Sequence, residues 1–126
     1  MRLLLDTHTL IWADSDPQSL SDAAAAIREP TNSVVLSVVN LWEIQVKVAI
    51  GKMALRAPLA QILDDQRANG VAVLDVTAAH VLALGALPLH HRDPFDRMLA
   101  AQAVAEGAAL VTRDAAFGAY PIRTLW

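Results

Sequence analysis

Cysteine is absent from the 126 residues, which removes disulfides, zinc–thiolate sites and a thiol nucleophile and suits a reducing cytoplasm. Long apolar runs are missing as well. His, Gly or a charge interrupts every stretch, Val81 to Leu89 included, well short of the about 18 residues that a membrane span needs, so no membrane association is expected. Asp6 follows only three leucines, too few for the apolar core of a secretion signal, which needs about seven. A cytoplasmic location is expected. The chain also lacks a basic excess. Its net charge of -3 excludes a protein that coats nucleic acid through a strongly basic face, but not an enzyme that gathers its acids in one pocket and leaves the remaining surface near neutral.

What is present suits one compact domain spanning 1–126, with no internal repeat, low-complexity tract or linker. Hydrophobic residues make up 55% of the chain, enough for a core without covalent staples. A mean hydropathy of +0.37 is high for a soluble monomer, and apolar surface left outside the core marks contact with another chain. A protein partner, a homodimer, or both are expected.

Short β-rich apolar runs recur at Leu3 to Leu5, Val34 to Leu36, Val71 to Leu74 and Leu110 to Thr112, with a last candidate at Ile122 to Trp126. Helical stretches lie between them: Ser21 precedes Asp22 to Arg28, Pro58 opens a segment closed by Gly70, and Thr77 precedes Ala78 to Ala86. The clearest helix starts at Asp93-Pro94 and stops at Gly107, with Pro at its first position and Gly just past its end. Alternating strands and helices predict an α/β fold of three layers, a central, mainly parallel sheet covered by helices on both faces.

In such sheets ligands sit outside the carboxyl ends of the strands. Asp6 follows the first run directly, Asp114 follows Leu110 to Thr112 by one residue, and Asp96 lies in the first turn of its helix. Glu43 stands beside an apolar stripe of Leu41, Ile44 and Val48. Each acid alone has an ordinary explanation. Asp93 reads as a helix N-cap, Asp96 as a first-turn acid favoured by the helix dipole, Glu43 as the partner of Lys47 four residues on, and Asp114 as a cap for the segment after it. All four at these places call for more. Packed carboxylates repel, and burying them uncompensated costs several kcal/mol per ion. An all-oxygen cluster suits Mg2+, with Mn2+ as the alternative, rather than zinc. Such an ion serves phosphodiester cleavage by activating water and neutralising the phosphate.

The histidines His8, His80, His90 and His91 show no ligand spacing; His8, two residues after Asp6, is expected near the site, supporting the ligands or contacting RNA rather than binding metal itself. Trp12 and Trp42 sit among apolar residues and are expected in the core or an interface. Of the cations, Arg97 and Arg113, followed by Lys47, are the candidates to grip phosphate.

Four segments in order, Leu4-Leu5-Asp6-Thr7-His8, Leu41-Trp42-Glu43-Ile44, Asp93-Pro94-Phe95-Asp96-Arg97 and Val111-Thr112-Arg113-Asp114, strongly resemble the PIN-domain toxins called VapC, across essentially the whole chain. The resemblance implies a metal-dependent endoribonuclease, the toxin of a toxin–antitoxin pair, cutting tRNA or rRNA and inhibited by a VapB-type antitoxin. It implies a metal site of Asp6, Glu43, Asp96 and Asp114 supported by Thr112, with Thr7 and Asp93 beside them; Asp6 and Asp96 are expected as the primary ligands. One departure is Asn40, one turn before Glu43, where a small hydroxyl residue is common.

Rival classes fit less well. A receiver-like phosphoacceptor domain wants an acidic pair after the first strand, and Asp6 is followed by Thr7-His8. A haloacid-dehalogenase-type phosphatase needs a second Asp two residues after the first, where His8 stands. A non-catalytic interaction module would bind no divalent metal.

Overall fold

The computed structural model describes residues 1–89 and 93–126; His90, His91 and Arg92 lie outside the described residues. Five strands form one all-parallel sheet: β1 (Arg2–Leu5), β2 (Ser33–Ser37), β3 (Ala72–Leu74), β4 (Ala109–Val111) and β5 (Thr124–Leu125), in the order β3-β2-β1-β4-β5. The helices are α1 (Thr7–Ser15), α2 (Ala23–Arg28), α3 (Val38–Ala49), α4 (Leu59–Ala68), α5 (Ala78–Leu84) and α6 (Pro94–Glu106). No described helix is long and apolar enough to cross a membrane.

The strands are nearly continuous in apolar residues because both faces of the sheet are covered, and successive side chains point to opposite faces. Leu3, Leu5, Val34, Leu36, Ala109 and Val111 join Leu10 of α1 and Ile44 of α3 in one core. Leu4, Val35 and Leu110 enter the other, against Leu99, Ala100 and Ala103 of α6. The alanines let α6 approach the sheet closely. Its ends follow the sequence signals: the Asp93 side chain accepts from the Phe95 and Asp96 amides, Pro94 stands at the first turn, and Gly107 closes the helix at φ 61°, the left-handed region that glycine enters without strain.

The central strand decides where the chemistry sits. Moving from β1 the chain proceeds to β2 and β3 on one side, and only later to β4 and β5 on the other. The topological switch point is therefore the β1–β4 junction, where a crevice opens beyond the strand ends. Leu5 pairs with Val111 in register, and the Asp6 amide continues the ladder by donating to the Val111 carbonyl at 3.1 Å. Residues 6 and 112–114 are thereby held side by side.

Candidate active site

Asp6 follows β1 directly and caps α1: its Oδ1 accepts from the Thr7 amide at 2.7 Å, and its Oδ2 accepts from the Thr112 hydroxyl at 2.8 Å. Both oxygens are fixed in direction before any ligand arrives. Burial pushes the Asp6 carboxyl above its ordinary range, against the lowering effect of the Thr112 and Thr7 hydrogen bonds, and the charge of Glu43 adds to the rise.

Glu43 is brought in by a tight β2–α3 junction. Ser37, the last residue of β2, caps α3 in a reciprocal box with Asn40, which accepts from the Ser37 amide at 2.7 Å. The Asn40 amide nitrogen reaches across to the Leu5 carbonyl at 3.1 Å and the Thr7 hydroxyl at 3.0 Å. The Thr7 hydroxyl donates in turn to Glu43 Oε1 at 2.6 Å, while Lys47 donates to Oε2 at 2.5 Å. A small hydroxyl residue at position 40 could not span these partners; Asn caps the helix and orients Thr7 at once. Burial opposes the Lys47 charge, but the hydrogen bond and charge of Glu43, followed by Asp93 and Asp96, outweigh it and raise its pKa.

Across from these, the first turn of α6 supplies two acids. One carboxylate oxygen from each of Glu43, Asp93 and Asp96 lies within 4.8 Å of the other two, spacing that could hold a metal ion. Burial and then the charges of Asp93, Asp6, Glu43 and Asp114 push Asp96 up to about 7. The five acids therefore act on one another at Asp96. Asp6 and Asp114 contribute from the strand ends, outside the close trio. Asp114 is exposed and caps the 3-10 turn Ala115–Ala119 through the Ala116 amide at 2.9 Å, while its own amide donates to the Thr112 hydroxyl at 3.0 Å. Thr112 thus links both strand-end acids.

The ordinary explanations of the single acids also hold. Asp93 caps α6, Asp114 caps its turn, and Glu43 pairs with Lys47. Asp93 does more than cap, because its carboxylate lies in the trio, which its Asp-Pro context conceals.

The cations divide by what occupies them. Lys47 is engaged by Glu43, and the Arg97 guanidinium donates to the Pro88 and Leu84 carbonyls at 3.0 and 3.4 Å, serving the end of α5. Arg113 is exposed and makes no ion pair among the described residues. His8 is exposed on the first turn of α1. Of the two places expected for the tryptophans, the core is not the one: Trp42 is 57% exposed, against Phe95 at 4.7 Å between ring centres, and Trp12 is half-buried beneath Arg113, in neither core.

Residues 3–122 match the PIN domain family. The chain is 30% identical over 113 residues to ribonuclease VapC22 of Mycobacterium tuberculosis, covering 89% of this chain and 86% of the relative. Among solved structures it resembles VapBC2 from Rickettsia felis bound to a DNA fragment from the promoter, with a TM-score of 0.75 and 22% identity, covering 100% and 98% of the two chains. It also resembles DNA-bound VapBC from Salmonella typhimurium, with a TM-score of 0.71 and 19% identity over 99% and 97%. These two likenesses show the fold.

Proposed function

We propose that this chain, which belongs to the VapC branch of the PIN-domain family, is a metal-dependent endoribonuclease and the toxin of a toxin–antitoxin pair. The observation that carries the reading is the convergence on Asp96: oxygens of Glu43 and Asp93 share its 4.8 Å neighbourhood, and burial together with the charges of four other acids raises its pKa. Lys47 pairs with Glu43, and a divalent cation held among these carboxylates would offset their mutual repulsion. All the donors are hard oxygens, which fits Mg2+ and, in its place, Mn2+.

We assign the ion to Asp6, Glu43, Asp96 and Asp114, where it would supply water activation at neutral pH and neutralisation of phosphate charge. The chain's own residues set the rest. Thr112 and the Thr7 amide aim Asp6; Thr7, itself held by Asn40, aims Glu43. Preset donors of this kind avoid reorganisation when charge develops at the phosphate. Asp96 has to lose its proton before it can act. Arg113, exposed beside Asp114, is placed to grip a phosphate oxygen, and His8 lies on the same rim.

Apolar side chains left in solvent support the partners of this reading. Trp42, Val46 and Ile50 recur every four residues along α3 and its end, and Leu82 of α5 is 77% exposed. A VapB-type antitoxin and a second copy of the chain are the partners assigned to these faces, and the VapBC assemblies to which the chain is similar in fold agree with the first. The substrate class assigned is structured RNA, a tRNA or an rRNA loop, and the site of action the cytoplasm. Incubating the protein with total RNA and Mg2+, then mapping the new ends, tests this directly. Discrete cuts lost in chelator support it; an RNA pool left intact with bound divalent ion sinks it.

A further inference from the structure

Four planar side chains gather on one flank of the acids although they come from three distant parts of the sequence. His8 and Trp12 are four apart on α1 and so share one helix face, with ring centres 5.9 Å apart. Trp126 meets Trp12 at 5.7 Å, and the Arg113 guanidinium carbon lies 4.8 Å from the centre of the Trp12 ring. The β4–β5 pairing brings the last two in, through the Thr112 amide on the Leu125 carbonyl at 3.0 Å. The indoles are half-buried and form the back of the group, while the imidazole and guanidinium are exposed.

The place and chemistry of this group are specific. His8 is two residues beyond Asp6, and Arg113 lies between Thr112 and Asp114, so the flank is continuous with the acids. Trp126 packs against one core, but a core role does not explain the rest of the group, since Trp12 joins neither core and Arg113 makes no ion pair with a carboxylate among the described residues. The other aromatic pair is differently placed: Phe95 is half-buried against one core, and the exposed Trp42 borders a mainly apolar groove with Leu41, Leu59 and Leu63, which suits a protein contact. Unpaired RNA bases, by contrast, stack on aromatic rings and on guanidinium planes.

We propose that His8, Trp12, Arg113 and Trp126 form a stacking subsite for one unpaired base of the RNA, seated beside the carboxylates so that this base fixes which phosphate reaches them. The proposal rests on the ribonuclease reading. The indoles hold the Arg113 plane and the His8 ring in position, and the base lies against these exposed planes. Sequence preference at that nucleotide then comes from stacking strength rather than from hydrogen bonds to base edges.

The test uses the Asp96→Asn protein in chelator, which cannot cut, and a short single-stranded oligoribonucleotide. Its affinity is compared with that of a series in which each base in turn is removed to leave an abasic sugar. One abasic position is expected to bind on the order of tenfold more weakly. Arg113→Lys keeps the charge and loses the plane, and Arg113 is exposed, so folding is not at risk; in that background the abasic penalty should fall severalfold, as it should in Trp12→Leu. An abasic penalty unchanged by both substitutions, or no penalty at any position, overturns the subsite. Cleavage by the otherwise unaltered enzyme separates this from the parent reading. If it cuts RNA with Mg2+ and Arg113→Lys cuts the same phosphate at the same KM, the subsite is wrong and the ribonuclease stands; if it neither cuts nor binds RNA, both fall.

Discussion

Lys47 Nζ lies 2.5 Å from Glu43 Oε2, so the most deeply buried acid of the site carries its own counter-ion. Breaking a buried pair leaves an uncompensated charge and costs about 3–5 kcal/mol; with Lys47 about a quarter exposed, a loss on the order of 2 kcal/mol is expected for Lys47→Met. Melting in chelator should show it. Added Mg2+ should narrow the gap to the unaltered protein, because the cation takes over part of the compensation. A gap that Mg2+ leaves unchanged would mean that Glu43 does not face the metal.

Asp96 makes metal-free stability depend on pH in a defined direction. Its pKa in the fold, about 7, is raised above the ordinary 3.8, so the folded state holds a proton that the unfolded chain has released. Stability therefore falls as pH rises from about 4 to about 7 and is lowest above that. Asp96→Asn removes the effect. In chelator the variant should gain a few degrees in Tm over the parent at pH 8 and almost nothing at pH 4, while RNA cleavage is abolished. A constant Tm difference across that range would contradict the geometry.

Asp93 and Asp96 share one helix start but differ in duty. Asp93→Ala removes the acceptor of the Phe95 and Asp96 amides and should cost about 0.5–2 kcal/mol. Cleavage should drop less than in Asp96→Asn, though not remain at the parent level, because the Asp93 carboxylate lies in the trio. Equal loss of activity at a temperature where Asp93→Ala is folded would make Asp93 a ligand of equal standing.

Thr112→Val keeps the shape and deletes a hydroxyl that donates to Asp6 and accepts from the Asp114 amide. The stability loss should be about 1 kcal/mol. Because that hydroxyl lowers the Asp6 pKa, the acidic limb of the pH–rate profile should move to higher pH. An unmoved limb would show that Asp6 is not the group titrating there.

The apolar runs at Leu3, Val34 and Leu110 revealed the strands because a parallel sheet buried on both faces demands such runs. The Asp93-Pro94 start and Gly107 end marked α6 for equally local reasons. Helix α1 carried no such signal: its buried face is Thr7, Thr9 and Leu10, and Thr9 is at home there only because its hydroxyl donates to the Val111 carbonyl at 2.7 Å, 102 residues away. The same nonlocality hid the surroundings of Trp12, since nothing near position 12 announces Arg113 and Trp126. Asn40, an oddity when read alone, is explained by three partners on three other elements. Strand-end acids were legible because topology places them, and the Lys47–Glu43 pair because the two stand four residues apart on one helix; the partners of Arg97 were not, because the carbonyls of Leu84 and Pro88 reach it only through packing.

The central claim is that acids meeting at Asp96 cut RNA with a divalent ion. Its most direct test is the rate at which one end-labelled RNA is cleaved by the unaltered protein and by Asp96→Asn over a Mg2+ titration, with chelator as zero. Cleavage should rise with Mg2+ and saturate for the former and be absent at every concentration for the latter. Cleavage that persists in chelator, or survives in Asp96→Asn, contradicts the account.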